Sequence, residues 1–299
     1  MIRPEGIIAA MITPFTNEQE VNEHGIRKLV NQLIDRGVHG LFCLGTNGEF
    51  FSLTFDEKVE IARIIVDEAK GRVPIYVGAG CISTAETIRL TKRLEQLNVD
   101  AVSVITPYFL PFTQEELYEH YRQIANSTQL PIILYNIPDR TGNNLEAHTV
   151  SRLSEIDNIV GIKDSSGKID QILQYLDVVN PDFSVLAGTD SLILPTLMAG
   201  GKGAIAATAN VLPQTVASIY ENWKAEKYDE AQIAQTQLRD LRSAMKLGTL
   251  PAGLKEALNF TGFPAGPSRS PVRSLTNQDK SKVETIMKKY AENNLIKSV

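Results

Sequence analysis

Short apolar runs rich in β-branched residues recur along this chain with helical patterns between them. They are Ile7–Ile12, Leu41–Leu44, Ile75–Val77, Ala101–Ile105, Ile132–Tyr135, Ile159–Lys163, Ser184–Ala187 and Ala204–Ala207, eight candidate strands in all. Successive starts lie roughly 20–35 residues apart, room for a strand, a loop, a helix and a loop each time, which favours right-handed crossovers in a parallel sheet. Eight such units close a (β/α)8 TIM barrel. The 299 residues suffice for one barrel or two ordinary domains, and the recurrence selects the barrel. A doubly wound sheet is the runner-up, but it calls for a glycine-rich phosphate loop. Gly200-Gly201-Lys202-Gly203 is a poor candidate, because it lacks the spacing and precedes a strand instead of following one.

The helices between the runs carry their own signals. Glu23–Arg36 places Ile26, Leu29, Val30, Leu33 and Ile34 on one face, and Gly37 follows as a cap. Thr54–Ala69 and Thr113–Ala125 each open on a capping-box pattern, Thr-Phe-Asp-Glu and Thr-Gln-Glu-Glu. Beyond the eighth run, Leu212–Glu226, Tyr228–Leu247, Pro251–Phe260 and Asn277–Ala291 read as further helices. The expected organisation is thus a barrel over residues 1–211 and a C-terminal helical layer over 212–299 packed on it as one structural unit.

Charge and composition exclude several functions. With 30 basic and 35 acidic residues the net charge is −5, so no basic field for nucleic acid or an anionic membrane is implied. The basic end, Lys280, Lys282, Lys288, Lys289 and Lys297, is interleaved with acids and reads as a solvated helix face. Cys43 and Cys81 are too few for a disulfide framework and read as small buried hydrophobes. The four histidines, His24, His39, His120 and His148, have no ligand-like spacing, so no metal is expected. No signal-peptide pattern and no apolar run of membrane-spanning length is present, and a cytoplasmic location is expected.

In a TIM barrel, functional groups gather at the C-terminal ends of the strands. The sixth run ends at Lys163. A lysine held out of water favours its neutral amine, and a neutral amine attacks carbonyls, which makes Lys163 a candidate Schiff-base nucleophile. The bland alternative is a lysine that snorkels to solvent from a strand end. The other strand ends favour chemistry. Gly45-Thr46-Asn47-Gly48-Glu49 is a tight turn whose amides and Thr46 hydroxyl suit a carboxylate. Tyr135-Asn136-Ile137-Pro138-Asp139-Arg140 offers a phenol for proton transfer and an arginine for bidentate carboxylate recognition. Gly188 and the small residues around Ile205 leave room for a ligand.

Gly45-Thr46-Asn47-Gly48-Glu49, Thr106-Pro107-Tyr108, Tyr135-Asn136-Ile137-Pro138 and Gly161-Ile162-Lys163-Asp164 together resemble the dihydrodipicolinate synthase and N-acetylneuraminate lyase family over nearly the whole chain. The resemblance implies a class I aldolase-type lyase on a TIM barrel, usually a homotetramer built as a dimer of dimers. Lys163 then corresponds to the lysine that binds pyruvate as a covalent imine, with no other cofactor. Tyr135 corresponds to the proton shuttle, Thr46 with Asn47 and the turn amides to the carboxylate site, and Gly188 and Ile205 to the pocket wall. Arg140 matches the arginine with which dihydrodipicolinate synthases of lysine and diaminopimelate biosynthesis hold aspartate semialdehyde. N-acetylneuraminate lyases lack it.

Two positions depart from the synthase pattern. Asn47 replaces its second turn threonine, and Phe109 replaces the relay tyrosine that reaches the neighbouring subunit, leaving Tyr108 or water to pass that proton. The leading expectation is condensation of pyruvate with aspartate semialdehyde. The alternatives are an aldolase for 2-keto-3-deoxy sugar acids or N-acetylneuraminate, and a paralogue that binds a keto acid without turnover. Phe50, Phe51, Phe55 and Ile82 stand where lysine-inhibited synthases carry polar groups, with only Glu86 and Tyr108 retained, so no feedback inhibition by lysine is expected.

Overall fold

The computed structural model describes residues 2–296, which leaves Lys297 outside it. Eight parallel strands close into a barrel in sequence order: β1 (Gly6–Ala10), β2 (Gly40–Cys43), β3 (Ile75–Gly78), β4 (Ala101–Ile105), β5 (Ile132–Asn136), β6 (Ile159–Asp164), β7 (Ser184–Ala187) and β8 (Gly203–Ala206). Each expected run lies on a strand, with ends displaced by a residue or two. The seam is tight: a Cβ on Gly203 would lie 2.1 Å from the Gly6 carbonyl oxygen, so only glycine lets β8 pair with β1 there.

Alternation along the strands divides the apolar residues into two cores. Ile8, Phe42, Tyr76, Ile133, Leu186 and Ile205 fill the barrel, while neighbours such as Ile7, Leu41, Val102 and Leu134 face the helices. The outer ring comprises α1 (Glu23–Asp35), α2 (Phe55–Ala69), α3 (Thr84–Glu95), α4 (Gln114–Asn126), the short α5 (Pro138–Thr141), α6 (Ala147–Leu153), α7 (Ile169–Val178), α8 (Ile193–Met198) and α9 (Pro213–Lys224). Both expected capping boxes form. Thr54 and Thr113 each accept from the amide three residues on, and Glu57 and Glu116 accept from the cap amides in return.

Helix α9 packs against β1 and α8 and, most extensively, against the helix that follows it, joining the ring to the C-terminal helices. The added layer is α10 (Tyr228–Ala244), α11 (Ala252–Phe260) and α12 (Asn277–Glu292). Tyr290 fastens it: its hydroxyl accepts from the Leu241 amide at 2.9 Å and donates to the Gln237 carbonyl at 2.6 Å. Cys43 is buried in the core and Cys81 is half-buried. Among the described residues, no helix is long and apolar enough to cross a membrane.

Candidate active site

An irregularity between β5 and β6 sets the centre of the site. Ile132 pairs with Ile159 but Ile133 pairs with Gly161, so β6 carries one extra residue there. Such a bulge re-aims every side chain beyond it. Ile159 and Ile162 consequently both face the outer core, although an uninterrupted strand would put residues three apart on opposite faces. Lys163 becomes the direct neighbour of Tyr135, with both pointing inward. The strand continues one residue further than expected, to Asp164.

Lys163 is 4% exposed, and its Nζ lies 4.0 Å from the Tyr135 ring centroid and 4.8 Å from that of Phe42. It makes no ion pair or hydrogen bond to another side chain or carbonyl among the described residues, leaving the amine available to a ligand. Tyr135 Oη and Thr46 Oγ1 share a hydrogen bond at 3.2 Å. That bond joins the candidate proton carrier to the carboxylate-binding turn.

The turn is held from behind. Leu44, just before it, and Glu49, its last residue, both adopt φ of +56°, unusual for residues with side chains. Thr13 donates to the Gly48 carbonyl at 2.7 Å. The Glu49 carboxylate, wholly buried, meets Lys255 Nζ at 2.6 Å and accepts from the Arg269 amide at 2.8 Å. Asn47 lines the cavity, and its Oδ1 is buried without a hydrogen-bond partner among the described residues.

Behind Lys163, a polar cluster ties the ends of β5 and β6 to the surrounding helices. Asn136 donates to Asp164 Oδ1 at 2.9 Å, to Asn144 Oδ1 at 2.9 Å and to Tyr175 Oη at 3.1 Å, and it accepts from the Leu145 amide at 3.0 Å. Burial pushes the Asp164 carboxyl up, against hydrogen bonds from Ser166 and Asn136 that pull it down. Sequence reading passed over Asn136 and Asp164, although a polar pair closing two adjacent apolar strands is itself a signal.

Thr46, Asn47, Tyr135 and Lys163 border one cavity of about 470 Å³, together with Gly188 and Ile205. A side chain at Gly188 would crowd the backbone, since a Cβ would lie 2.8 Å from the Asp164 carbonyl oxygen. Arg140, from α5, reaches the rim of the same cavity. Tyr108 and Phe109 are not part of its wall. Tyr108 packs edge-on against Phe50 with centroids 6.2 Å apart, and Phe109 is 86% exposed with φ of +88°. Two residues on the wall, Arg242 and Lys246, were not anticipated, since helix α10 reads in sequence only as part of an added layer. Among the described residues, no group of three or more His, Cys, Asp or Glu side chains is arranged to hold a metal ion.

A sequence model described as the dihydrodipicolinate synthetase family matches residues 3–290. The 4-hydroxy-tetrahydrodipicolinate synthase of Methanopyrus kandleri is 38% identical over 287 residues, covering 95% of this chain and 96% of its own. A DapA-like lyase of Halobacterium salinarum is 37% identical over 279 residues, covering 93% and 91%. The crystal structure of dihydrodipicolinate synthase from Aquifex aeolicus superposes with a TM-score of 0.93 at 33% identity, over 98% of this chain and 100% of that one.

Proposed function

The chain belongs to the dihydrodipicolinate synthetase family, and from that premise we propose that it is a Schiff-base lyase, a 4-hydroxy-tetrahydrodipicolinate synthase that condenses pyruvate with aspartate semialdehyde. The observation that carries the reading is Lys163, a buried amine with no protein partner, paired in register with a tyrosine that is hydrogen-bonded to Thr46. In this scheme the Lys163 amine attacks the ketone carbon of pyruvate, and loss of water gives the imine. Tyr135 carries the protons at the departing oxygen and at the methyl carbon, which yields the enamine. The enamine carbon then bonds to the aldehyde carbon. Thr46 and the turn amides hold the pyruvate carboxylate, and Arg140 takes that of aspartate semialdehyde. The imine nitrogen is the electron sink, and no further cofactor enters the scheme.

The assembly we propose is a dimer of dimers in the cytoplasm, in which a second copy covers the exposed Phe51, Ile82, Phe109 and Leu110. Phe109 cannot pass a proton, so water completes the relay. With Phe50, Phe51, Phe55 and Ile82 in place of polar partners, added L-lysine should leave the rate unchanged at millimolar concentration.

One observation favours a second reading. Asn47 stands on the cavity wall, where its carboxamide suits a hydroxyl of a 2-keto-3-deoxy sugar acid, cleavage of which would leave the same enamine on Lys163. Steady-state assays separate the two. Condensation of pyruvate with aspartate semialdehyde well above cleavage of 2-keto-3-deoxygluconate supports the synthase, and the reverse order replaces it with the aldolase.

A further inference from the structure

Two registers are open to the ends of β5 and β6, and only one of them builds the site. In the observed pairing Leu134, Tyr135 and Asn136 lie opposite Ile162, Lys163 and Asp164. Without the extra residue at the bulge, Tyr135 would lie opposite Ile162 and Asn136 opposite Lys163. Side chains alternate across a sheet, so that slip of one residue would carry Lys163 from the cavity to the helix side. A parallel ladder forms evenly spaced backbone hydrogen bonds in either register, and the choice falls to side chains.

The last pair on the ladder, Asn136 and Asp164, makes that choice. Both are buried, and alternation turns them away from the barrel interior that Tyr135 and Lys163 face. The Asn136 carboxamide donates to Asp164 Oδ1 at 2.9 Å, while Asn144, Tyr175 and the Leu145 amide fix its other contacts. Asp164 Oδ2 accepts from the Ser166 amide at 3.2 Å and from the Ser166 hydroxyl at 2.5 Å. A carboxylate only accepts, so it holds Asn136 with an N–H toward β6 and its oxygen toward Leu145. Burying that carboxylate carries a desolvation cost that an apolar strand end would avoid. In the slipped register Asn136 would face the Lys163 side chain, and Asp164 would lose its carboxamide.

We propose that Asn136 and Asp164 are positioning residues whose side-chain pair locks β5 and β6 in the bulged register and so keeps the Lys163 amine beside Tyr135. The inference rests on Lys163 as the nucleophile and names what holds it in place. Neither side chain lines the cavity. Loss of the pair should therefore slow imine formation and proton transfer while the Thr46 turn still holds the pyruvate carboxylate.

The test uses Asn136→Asp, Asp164→Asn and the exchange Asn136→Asp/Asp164→Asn. The first sets two carboxylates against each other and should lower kcat by about 100-fold, the cost of misplacing reacting groups by about 1 Å. Its KM for pyruvate should stay within about threefold of wild type. Asp164→Asn, which still offers an oxygen to Asn136, should lose about tenfold or less, and the exchange should recover about tenfold over Asn136→Asp. No recovery in the exchange, or a loss carried mainly by KM, overturns the proposal. Should Asn136→Asp fail to fold, Asn136→Ala, Asp164→Ala and their double variant replace it. The double variant should then lose no more than the worse single, and losses that multiply overturn the pair.

Hydrogen exchange of the β6 amides, read by mass spectrometry, reports on the register without turnover. Exchange in Asn136→Asp should quicken by about tenfold or more at the Lys163 end of β6 and stay unchanged in β1 and β2. Unchanged protection at that end overturns the lock. Borohydride trapping of pyruvate on the wild type keeps the two readings apart. No adduct defeats the Schiff-base reading, whereas an adduct with unaltered exchange in the variant defeats the lock alone.

Discussion

Two buried lysines stand on either side of the Gly45–Glu49 turn, and they differ in what surrounds their nitrogen. Lys255, in α11, is 1% exposed, and its Nζ lies 2.6 Å from Glu49 Oε1 and 2.8 Å from the Pro267 carbonyl, over the Phe15 ring. Lys163 is 4% exposed, and its Nζ lies against the rings of Tyr135 and Phe42 with no ion pair or hydrogen bond among the described residues. Both border cavities, and that beside Lys255 is the larger, about 640 Å³ against about 470 Å³. Neither burial nor an adjoining cavity therefore marks a reactive lysine. The difference lies in partners: a carboxylate and a carbonyl hold Lys255 in a structural ion pair, and Lys163 has been left for a ligand to satisfy.

Exchange of each lysine for methionine, which keeps the bulk, gives the sharpest contrast. Lys163→Met should remove condensation activity by about four orders of magnitude or more, because no other group supplies the nucleophile, and should leave the urea midpoint unchanged or raised. Appreciable turnover in this variant would erase the distinction. Tyr135→Phe comes next, with kcat lowered by about 10²- to 10⁴-fold for loss of the proton carrier. A loss confined to KM would instead make Tyr135 only a wall of the pocket.

Lys255→Met should act in the opposite sense. It strands the Glu49 carboxylate in the interior and should cost about 3–5 kcal/mol of stability by urea unfolding, while pyruvate still traps on Lys163. The double variant Glu49→Gln/Lys255→Met should recover part of that loss, since it removes both charges together. No recovery would mean that packing, and not charge, makes up the cost.

The smallest effect is the pH dependence of the same pair. Burial lowers Lys255 to about 8 from the ordinary 10.5, while Glu49 opposes the shift. Between those values the unfolded chain holds more protons than the folded one, so this group makes stability rise with pH, by up to about 1.4 kcal/mol per pH unit. The desolvation cost of the charged lysine is fully present below about pH 8. Urea midpoints at pH 8 and pH 10 should therefore show a rise in wild type that is missing in Lys255→Met. Equal slopes in the two proteins would contradict the assignment.

The strands were legible because each is an apolar, β-branched run flanked by turn residues, and the threonine caps of α2 and α4 could be read directly. The residues Thr46, Asn47, Tyr135, Arg140, Lys163, Gly188 and Ile205 were legible from strand-end position, and they line one cavity. What stayed hidden depends on contacts distant in sequence. The bulge that sets Lys163 beside Tyr135 is a property of how β6 pairs with β5, not of either strand alone. Arg242, near the end of α10, and Lys246, beyond it, look like solvated residues in sequence, and only tertiary packing brings them to the cavity wall.

Intact-protein mass after incubation with pyruvate and borohydride tests the central contrast most directly, with wild type, Lys163→Met and Lys255→Met side by side. One reduced pyruvyl adduct on wild type and on Lys255→Met, with none on Lys163→Met, is the predicted result. An adduct that persists in Lys163→Met, or that disappears only in Lys255→Met, would contradict the account.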